Sequence, residues 1–221
     1  MALYIDSAFI NDIMNVIETV PVAGVTTNPS ILLAARTQGQ DLSPEEVLQE
    51  LVRVVDGRIF MQPGASEEEE MYREALSYIE AAPQRILPKL PMTQIGMRVA
   101  RRLKRQQHRI AFTAVTTVAQ AYSAAMVSAD FIIPYYARLE RAGIDAGQRI
   151  SEMADVLHNA GLPTRILSAS IKSPEDASSA LLAGSDDLTV APSVLLDMLS
   201  DPLTEKAVEG FTRDWQMMNK S

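Results

Sequence analysis

Residues 85–113, RILPKLPMTQIGMRVARRLKRQQHRIAFT, show the repeating pattern from which the fold can be predicted. A short apolar run at 85–89 is followed by an amphipathic stretch at about 93–107 and by a second short apolar run at 109–113. Such an alternation predicts two parallel strands joined by a crossover helix. The stretch therefore indicates one strand–helix–strand unit of a parallel sheet.

The same unit recurs along the whole chain. The predicted strands are 3–5, 22–26, 58–62, 85–89, 109–113, 130–135, 165–170 and 187–190. The predicted helices are 8–19, 44–55, 66–81, 93–107, 118–128, 148–160, 174–183 and one from about 192. Eight units without a break in composition predict an α/β protein with one domain, 1–221, folded as a (β/α)8 TIM barrel. An open, doubly wound sheet is disfavoured because no Gly-x-Gly-x-x-Gly follows the first strand.

Composition narrows the possible functions. The formal net charge is −8, which disfavours nucleic acid as a partner. The chain has no cysteine, which excludes disulfides and thiolate chemistry, and its two histidines, His108 and His158, lie far apart in sequence. We therefore expect no metal and no cofactor. No signal peptide or membrane-spanning run is recognisable, so we expect a cytoplasmic protein that does not bind membranes.

Nearly every predicted strand ends in a hydrogen-bonding side chain. These residues are Asp6, Thr26 with Asn28, Gln62, Lys89, Thr113, Tyr135 with Arg138, and Ser170. Catalytic groups of this barrel type lie at the carboxyl ends of the strands. The pattern therefore predicts one polar site at that end of the barrel.

Lys89 is the most informative of these residues because apolar residues and two prolines, Pro88 and Pro91, surround it. Partial burial lowers the pKa of an amine, and a neutral amine is needed to attack a ketone. At the reference pKa of ~10.4, only about one lysine in a few thousand is neutral at pH 7. Two alternatives stay open, namely a lysine that extends from a strand end into solvent and a lysine paired with Asp6.

The other residues also have ordinary structural explanations. Asp6 could serve as a salt-bridge partner, and Asn28, which precedes Pro29, could cap the following helix. Tyr135 could belong to the core, and Arg138 could be a solvated charge.

Two motifs carry a family resemblance. GVTTNPS at residues 24–30 resembles the second-strand signature of transaldolases and fructose-6-phosphate aldolases, and PKLPMT at 88–93 resembles the segment around their Schiff-base lysine. Further similar segments follow in the family's order at 113–115, 134–138, 168–172, 184–189 and 211–215. The similarity extends over essentially the whole chain.

The resemblance implies a role for each residue in a sugar-cleaving enzyme. Lys89 would be the nucleophile, and Asp6 and Asn28 would bind hydroxyls of a ketose, with Asp6 also transferring a proton. Thr26 belongs to the same motif and would contribute to substrate binding. The remaining roles are water binding by Gln62, Thr113 and Tyr135, and phosphate binding by Arg138 and Ser170.

The resemblance also ranks three possible functions of the protein. The short chain and the pair Gln62 and Tyr135 favour an aldolase that acts on a sugar or sugar phosphate, with a transaldolase as the alternative. A non-catalytic barrel that binds sugar phosphates is a third hypothesis. A further helix is predicted at about 203–218, and the resemblance implies that it assembles a homo-oligomer, a pentamer or decamer. Alternatively, this helix covers the bottom of its own barrel.

Overall fold

The computed structural model describes residues 1–219, and its eight parallel strands close into a barrel in the order β1 to β8. The strands are β1 Leu3–Asp6, β2 Gly24–Thr26, β3 Arg58–Met61, β4 Ile86–Pro91, β5 Ala111–Val115, β6 Phe131–Pro134, β7 Arg165–Ile171 and β8 Asp187–Val190. The predicted (β/α)8 fold is confirmed.

Eleven helices lie within the described residues. They are α1 Ile10–Thr19, α2 Pro29–Thr37, α3 Pro44–Val54, α4 Glu68–Ala81, α5 Gln94–Arg105, α6 Val118–Met126, α7 Tyr136–Arg141, α8 Ala146–Asn159, α9 Pro174–Leu182, α10 Pro192–Asp197 and α11 Pro202–Met218. The bounds of two of them, α2 and α7, were not predicted, and for α2 only a possible start at Asn28 was. Both follow strands directly and therefore stand at the carboxyl end of the barrel.

Helix starts follow the capping residues in the sequence. A capping box begins α3, with the Ser43 hydroxyl accepting from the Glu46 N–H and the Glu46 carboxylate accepting from the Ser43 N–H. A second capping box, formed by Thr117 and Gln120, begins α6. Each box satisfies amide donors that the first helical turn cannot pair itself.

Aromatic packing and ion pairs fill the amino-terminal part of the barrel. The Phe60 ring lies edge-on to the rings of Tyr4 and Phe131, with centroid distances of 5.4 and 5.2 Å. In the same region Arg165 donates two hydrogen bonds of 2.8 Å to the buried carboxylate of Asp187. The barrel is thus solid at this end, which leaves the opposite end for a cavity.

Strand β4 is longer than predicted, and this changes the position of Lys89. The strand continues to Pro91, which pairs with Thr113 of β5, so Lys89 lies inside the strand and not at its end. Leu87 of the same strand belongs to the barrel interior, and side chains alternate along a strand. Lys89, two residues later, therefore also faces inward.

Two bulges interrupt the regular strand register near the carboxyl end. They occur between Thr113 and Val115 in β5 and between Ser168 and Ile171 in β7. Within them, Ala114 and Ser170 have φ values of 58° and 60°, in the left-handed region that non-glycine residues rarely adopt. Such bulges redirect neighbouring side chains, here beside the polar residues of the barrel mouth.

Helix α11 buries none of its residues. Its apolar side chains include Leu203, Phe211, Trp215 and Met218, which are exposed by 78, 69, 66 and 72%. The alternative that this helix covers its own barrel is therefore wrong. The extra carboxyl-terminal helix itself is confirmed.

Candidate active site

A cavity of about 210 Å³ opens at the carboxyl end of the barrel. Its lining residues are Asp6, Asn28, Ser30, Ile31, Ala34, Lys89, Tyr135, Arg138, Ala169, Ser170 and Lys172. Six of the nine predicted site residues are among them. Of the other three, Thr26 and Thr113 hydrogen-bond to lining residues, while Gln62 lines a separate groove.

The amine of Lys89 is held in a buried environment. The residue is only 1% exposed, and none of the ion pairs formed within residues 1–219 involves it. Burial lowers the pKa of Lys89 to about 8, a decrease that Asp6 opposes and Arg138 reinforces. At that pKa about one amine in ten is neutral at pH 7, several hundred times the fraction of a solvated lysine. Neither the solvent-extended lysine nor the direct ion pair with Asp6 fits this geometry.

Asp6 is the last residue of β1 and shares the cavity with Lys89. The Thr26 hydroxyl donates a hydrogen bond of 2.7 Å to its Oδ1 atom. Burial raises the pKa of Asp6, whereas Lys89 and the Thr26 hydrogen bond lower it. A buried carboxylate with such opposed influences can take up and release a proton near the cavity.

Tyr135 and Thr113 form a second polar pair across the cavity. Their hydroxyl oxygens are 2.7 Å apart, and the Arg138 guanidinium lies 4.3 Å from the centre of the Tyr135 ring. Burial raises the pKa of Tyr135, although Thr113 and Arg138 lower it. The phenol therefore stays protonated at neutral pH and can donate a proton or hold a water molecule.

Asn28 both caps helix α2 and lines the cavity. Its Oδ1 accepts a hydrogen bond of 3.0 Å from the N–H of Ile31 and so caps α2. Because the cap uses the oxygen, the amide NH₂ group remains available for a ligand in the cavity.

A sequence model of the transaldolase/fructose-6-phosphate aldolase family matches residues 3–221. The chain belongs to this family. It is accordingly an enzyme of the aldolase/transaldolase type that acts in carbohydrate metabolism.

Curated relatives of this family member are similar over nearly their whole length. A "probable transaldolase" of Symbiobacterium thermophilum is 34% identical over 216 residues, covering 98% of this chain and 97% of the relative. One of Chelativorans sp. is 34% identical over 215 residues, covering 97 and 96%. A solved structure, thiamine phosphate pyrophosphorylase from Pyrococcus furiosus, has a TM-score of 0.58 at 13% identity and covers 88% of this chain and 87% of its own. At that identity it supports the fold alone.

Gln62 stands apart from the other expected site residues of this aldolase-family chain. It lines a mainly apolar groove of about 200 Å³ beside Leu32, Leu33 and Tyr78, outside the central cavity. Strand β3 ends at Met61, one residue before Gln62, and Pro63 follows. The strand alternation that brings Lys89 inward therefore does not extend to Gln62.

Polar side chains that were not predicted from the sequence also lie in or next to the cavity. Lys172 lines it and lowers the pKa of Asp6, and Ser30 lines it from the first turn of α2. Thr189 lies behind the cavity, with its hydroxyl 2.6 Å from that of Thr26. The strand pattern could have identified Thr189, since it is an inward polar residue near the end of β8 like the others.

Within residues 1–219 no three histidine or acidic side chains come close enough to form a metal site. The helices of the same range are all too short or too polar to span a membrane.

Proposed function

We propose that this family member is a class I aldolase in which Lys89 forms a Schiff base with a ketose. The observation that supports the proposal best is the burial of an inward-facing amine with a pKa of about 8 at the edge of a polar cavity. A non-catalytic sugar-phosphate binder has no need for such an amine, because burying it costs stability.

In the proposed cycle Lys89 Nζ attacks the ketose carbonyl carbon, and loss of one water molecule gives an iminium ion. Asp6 then accepts the proton of the hydroxyl next to the bond that breaks. That hydroxyl becomes the aldehyde, which departs, while the electron pair of the broken bond moves into an enamine on Lys89. A proton returns to the enamine carbon, and water releases the ketone and the free amine.

The hydroxyl pair of Thr113 and Tyr135 is suited to the last two steps. A protonated phenol 2.7 Å from a threonine hydroxyl can bind one water molecule and deliver a proton to it or to the enamine. Asn28, with its free amide NH₂, and Thr26, through Asp6, would orient the ketose hydroxyls. The water-binding role of Gln62 stays a prediction.

Two cationic side chains that line the cavity are suited to a phosphate on the aldehyde. They are Arg138 and Lys172, and Ser170, which has a left-handed backbone conformation, lines the cavity with them. Arginine and lysine are the residues that most often bind phosphate oxygens. We therefore propose a sugar phosphate as the substrate class.

Reductive trapping tests the Schiff base. Dihydroxyacetone with borohydride is expected to add one reduced three-carbon unit to Lys89, located by peptide mass spectrometry. Lys172 is the internal control because it lines the same cavity but is exposed. The Lys89→Met variant is expected to give no adduct. An adduct on Lys172 alone, or none in the wild type, would refute the proposal.

A transaldolase is the second candidate, because the curated relatives carry that name. It uses the same enamine but passes it to another aldehyde before a proton and water can release the ketone. The ratio of free ketone to transferred product, measured with one ketose and one added aldehyde, distinguishes the two. Tyr135→Phe removes the proton donor and is expected to lower this ratio. An unchanged ratio would contradict the role given to Tyr135.

We also propose that α11 assembles subunits into a homo-oligomer, a pentamer or a decamer. The support is its exposed apolar side chains, since apolar patches of this kind usually mark protein interfaces. Ending the chain at residue 202 should lower the mass measured by light scattering to that of smaller species. The double variant Phe211→Asp/Trp215→Asp should act likewise, whereas Glu209→Ala on the same helix should not. An unchanged mass in the truncated chain would exclude this role. The cytoplasmic location stays a prediction.

A further inference from the structure

Three side chains form a continuous hydrogen-bonded row from β8 through β2 to β1. The hydroxyl oxygens of Thr189 and Thr26 are 2.6 Å apart, and the Thr26 oxygen is 2.7 Å from Asp6 Oδ1. Thr26 and Thr189 are buried, with exposed fractions of 0 and 1%. Bulk water therefore does not compete for these hydrogen bonds.

The direction of each hydrogen bond follows from the number of protons. An ionised Asp6 can only accept, so Thr26 donates its single hydroxyl proton to the carboxylate. The short contact between the two threonines then requires Thr189 to donate to Thr26. Within residues 1–219, Thr26 is the hydrogen-bond partner of the Thr189 side chain. If Thr189 donates to Thr26, both hydroxyl protons are therefore used in hydrogen bonds.

We propose that Thr189 is a positioning residue that orients Asp6 through Thr26. Donation from Thr189 keeps the Thr26 proton directed at Oδ1, and this anchors one carboxylate oxygen. The second oxygen, Oδ2, has no hydrogen-bond partner among the described residues and is left to exchange the proton with the substrate. The inference rests on the proposed proton transfer by Asp6, and it adds a residue that lies outside the cavity lining.

In this row the placement of the Asp6 carboxylate depends on the hydroxyl group of Thr189 more than on the volume of its side chain. Hydrogen bonds in a chain polarise one another, so donation to Thr26 strengthens the donation from Thr26 to Asp6. If the Thr189 hydroxyl is lost, the Thr26 hydroxyl can rotate away from Asp6, and the carboxylate is free to turn in the cavity. The proton acceptor is then correctly placed for a smaller fraction of the time.

A matched pair of substitutions isolates this hydroxyl. Thr189→Ser and Thr189→Ala both lose the methyl group, but only the serine keeps the oxygen. We expect Thr189→Ala to lower kcat for ketose cleavage roughly threefold to tenfold, the value of one neutral hydrogen bond, with little change in KM. Thr189→Ser should stay within about twofold of the wild type. Equal kcat values for the two variants would overturn the inference.

Two further measurements separate positioning from a general loss of structure. The rate of trapping dihydroxyacetone on Lys89 should be unchanged in Thr189→Ala, because imine formation does not use the proton acceptor, whereas a distorted site would slow both reactions. In a Thr26→Ala background, Thr189→Ala should cause no further loss of kcat, since the route to Asp6 is already interrupted. A further loss of the same size would refute action through Thr26.

Controls distinguish this inference from the proposed function. The buried hydroxyls of Ser168 and Ser185 form a similar pair, 2.5 Å apart, that does not contact the cavity, so Ser185→Ala should leave kcat unchanged. If Asp6→Asn retains full kcat, the proton transfer assigned to Asp6 is wrong. If Asp6→Asn is impaired but Thr189→Ala equals Thr189→Ser, only the role of Thr189 is wrong.

Discussion

Replacing Lys89 with methionine should stabilise the protein while abolishing its activity. Burial lowers the pKa of Lys89 from the ordinary 10.5 to about 8. One pKa unit corresponds to about 1.4 kcal/mol, so an ammonium ion at this position costs about 3 kcal/mol at pH 7. Methionine is uncharged and fills a similar volume. We therefore expect the free energy of unfolding to rise by about 1 to 3 kcal/mol at pH 7, less than the full cost because exchanging a buried side chain for one of similar volume itself costs up to about 1.5 kcal/mol.

The dependence of this gain on pH is the decisive quantity. Between pH 8 and 10.5 the unfolded wild-type chain binds more protons at Lys89 than the folded chain, so the stability of the wild type rises with pH. The advantage of Lys89→Met should consequently shrink by about 2 kcal/mol between pH 7 and pH 9.5.

Urea unfolding of both proteins at equal concentration, at each pH, measures this difference. Lys172→Met is the control for loss of an exposed lysine and should change stability by less than about 0.5 kcal/mol. A gain in stability that is absent, or that is identical at both pH values, would refute the conclusion that burial lowers the pKa of Lys89.

Two other substitutions test the barrel itself. Asp187→Asn should lower the free energy of unfolding by about 2 to 4 kcal/mol, because the buried carboxylate that accepts two hydrogen bonds from Arg165 is lost. Denaturant unfolding measures this change, and a decrease below about 0.5 kcal/mol would contradict the expectation. Gly24→Ala should destabilise the protein by more than about 3 kcal/mol or prevent folding. The Cβ of the alanine would lie 1.8 Å from the carbonyl oxygen of Arg58, and the backbone φ at this position is 150°. A soluble variant with unchanged thermal stability would show that the strand can shift to admit the Cβ.

Much of the barrel could be predicted because its strands are short apolar runs separated by long amphipathic helices. All eight predicted strands are present, and β8 has the predicted bounds, Asp187–Val190. Helix α2 was missed although Asn28 and Pro29 are a regular helix start, because nine residues carry too few apolar repeats to establish a helical period. Helix α7, with six residues and no capping side chain, offers no start signal.

The site was predictable where strand alternation alone places a side chain. Asp6, Lys89 and Tyr135 fit that rule, although β4 extends two residues beyond its predicted end at Lys89. Strand alternation places no side chain once regular pairing stops, and Gln62, one residue beyond β3, lines a groove outside the central cavity. The bulge that turns Ser170 inward depends on contacts between strands, which a single sequence does not reveal.

Helix α2 gives the cavity one wall that is independent of the barrel strands. Ser30, Ile31 and Ala34 all line the cavity, yet they belong to a single surface helix of nine residues. Libraries for protein engineering can therefore vary the size and polarity of the cavity at these three positions. Lys89, Asp6 and the packed interior of the barrel would remain unchanged.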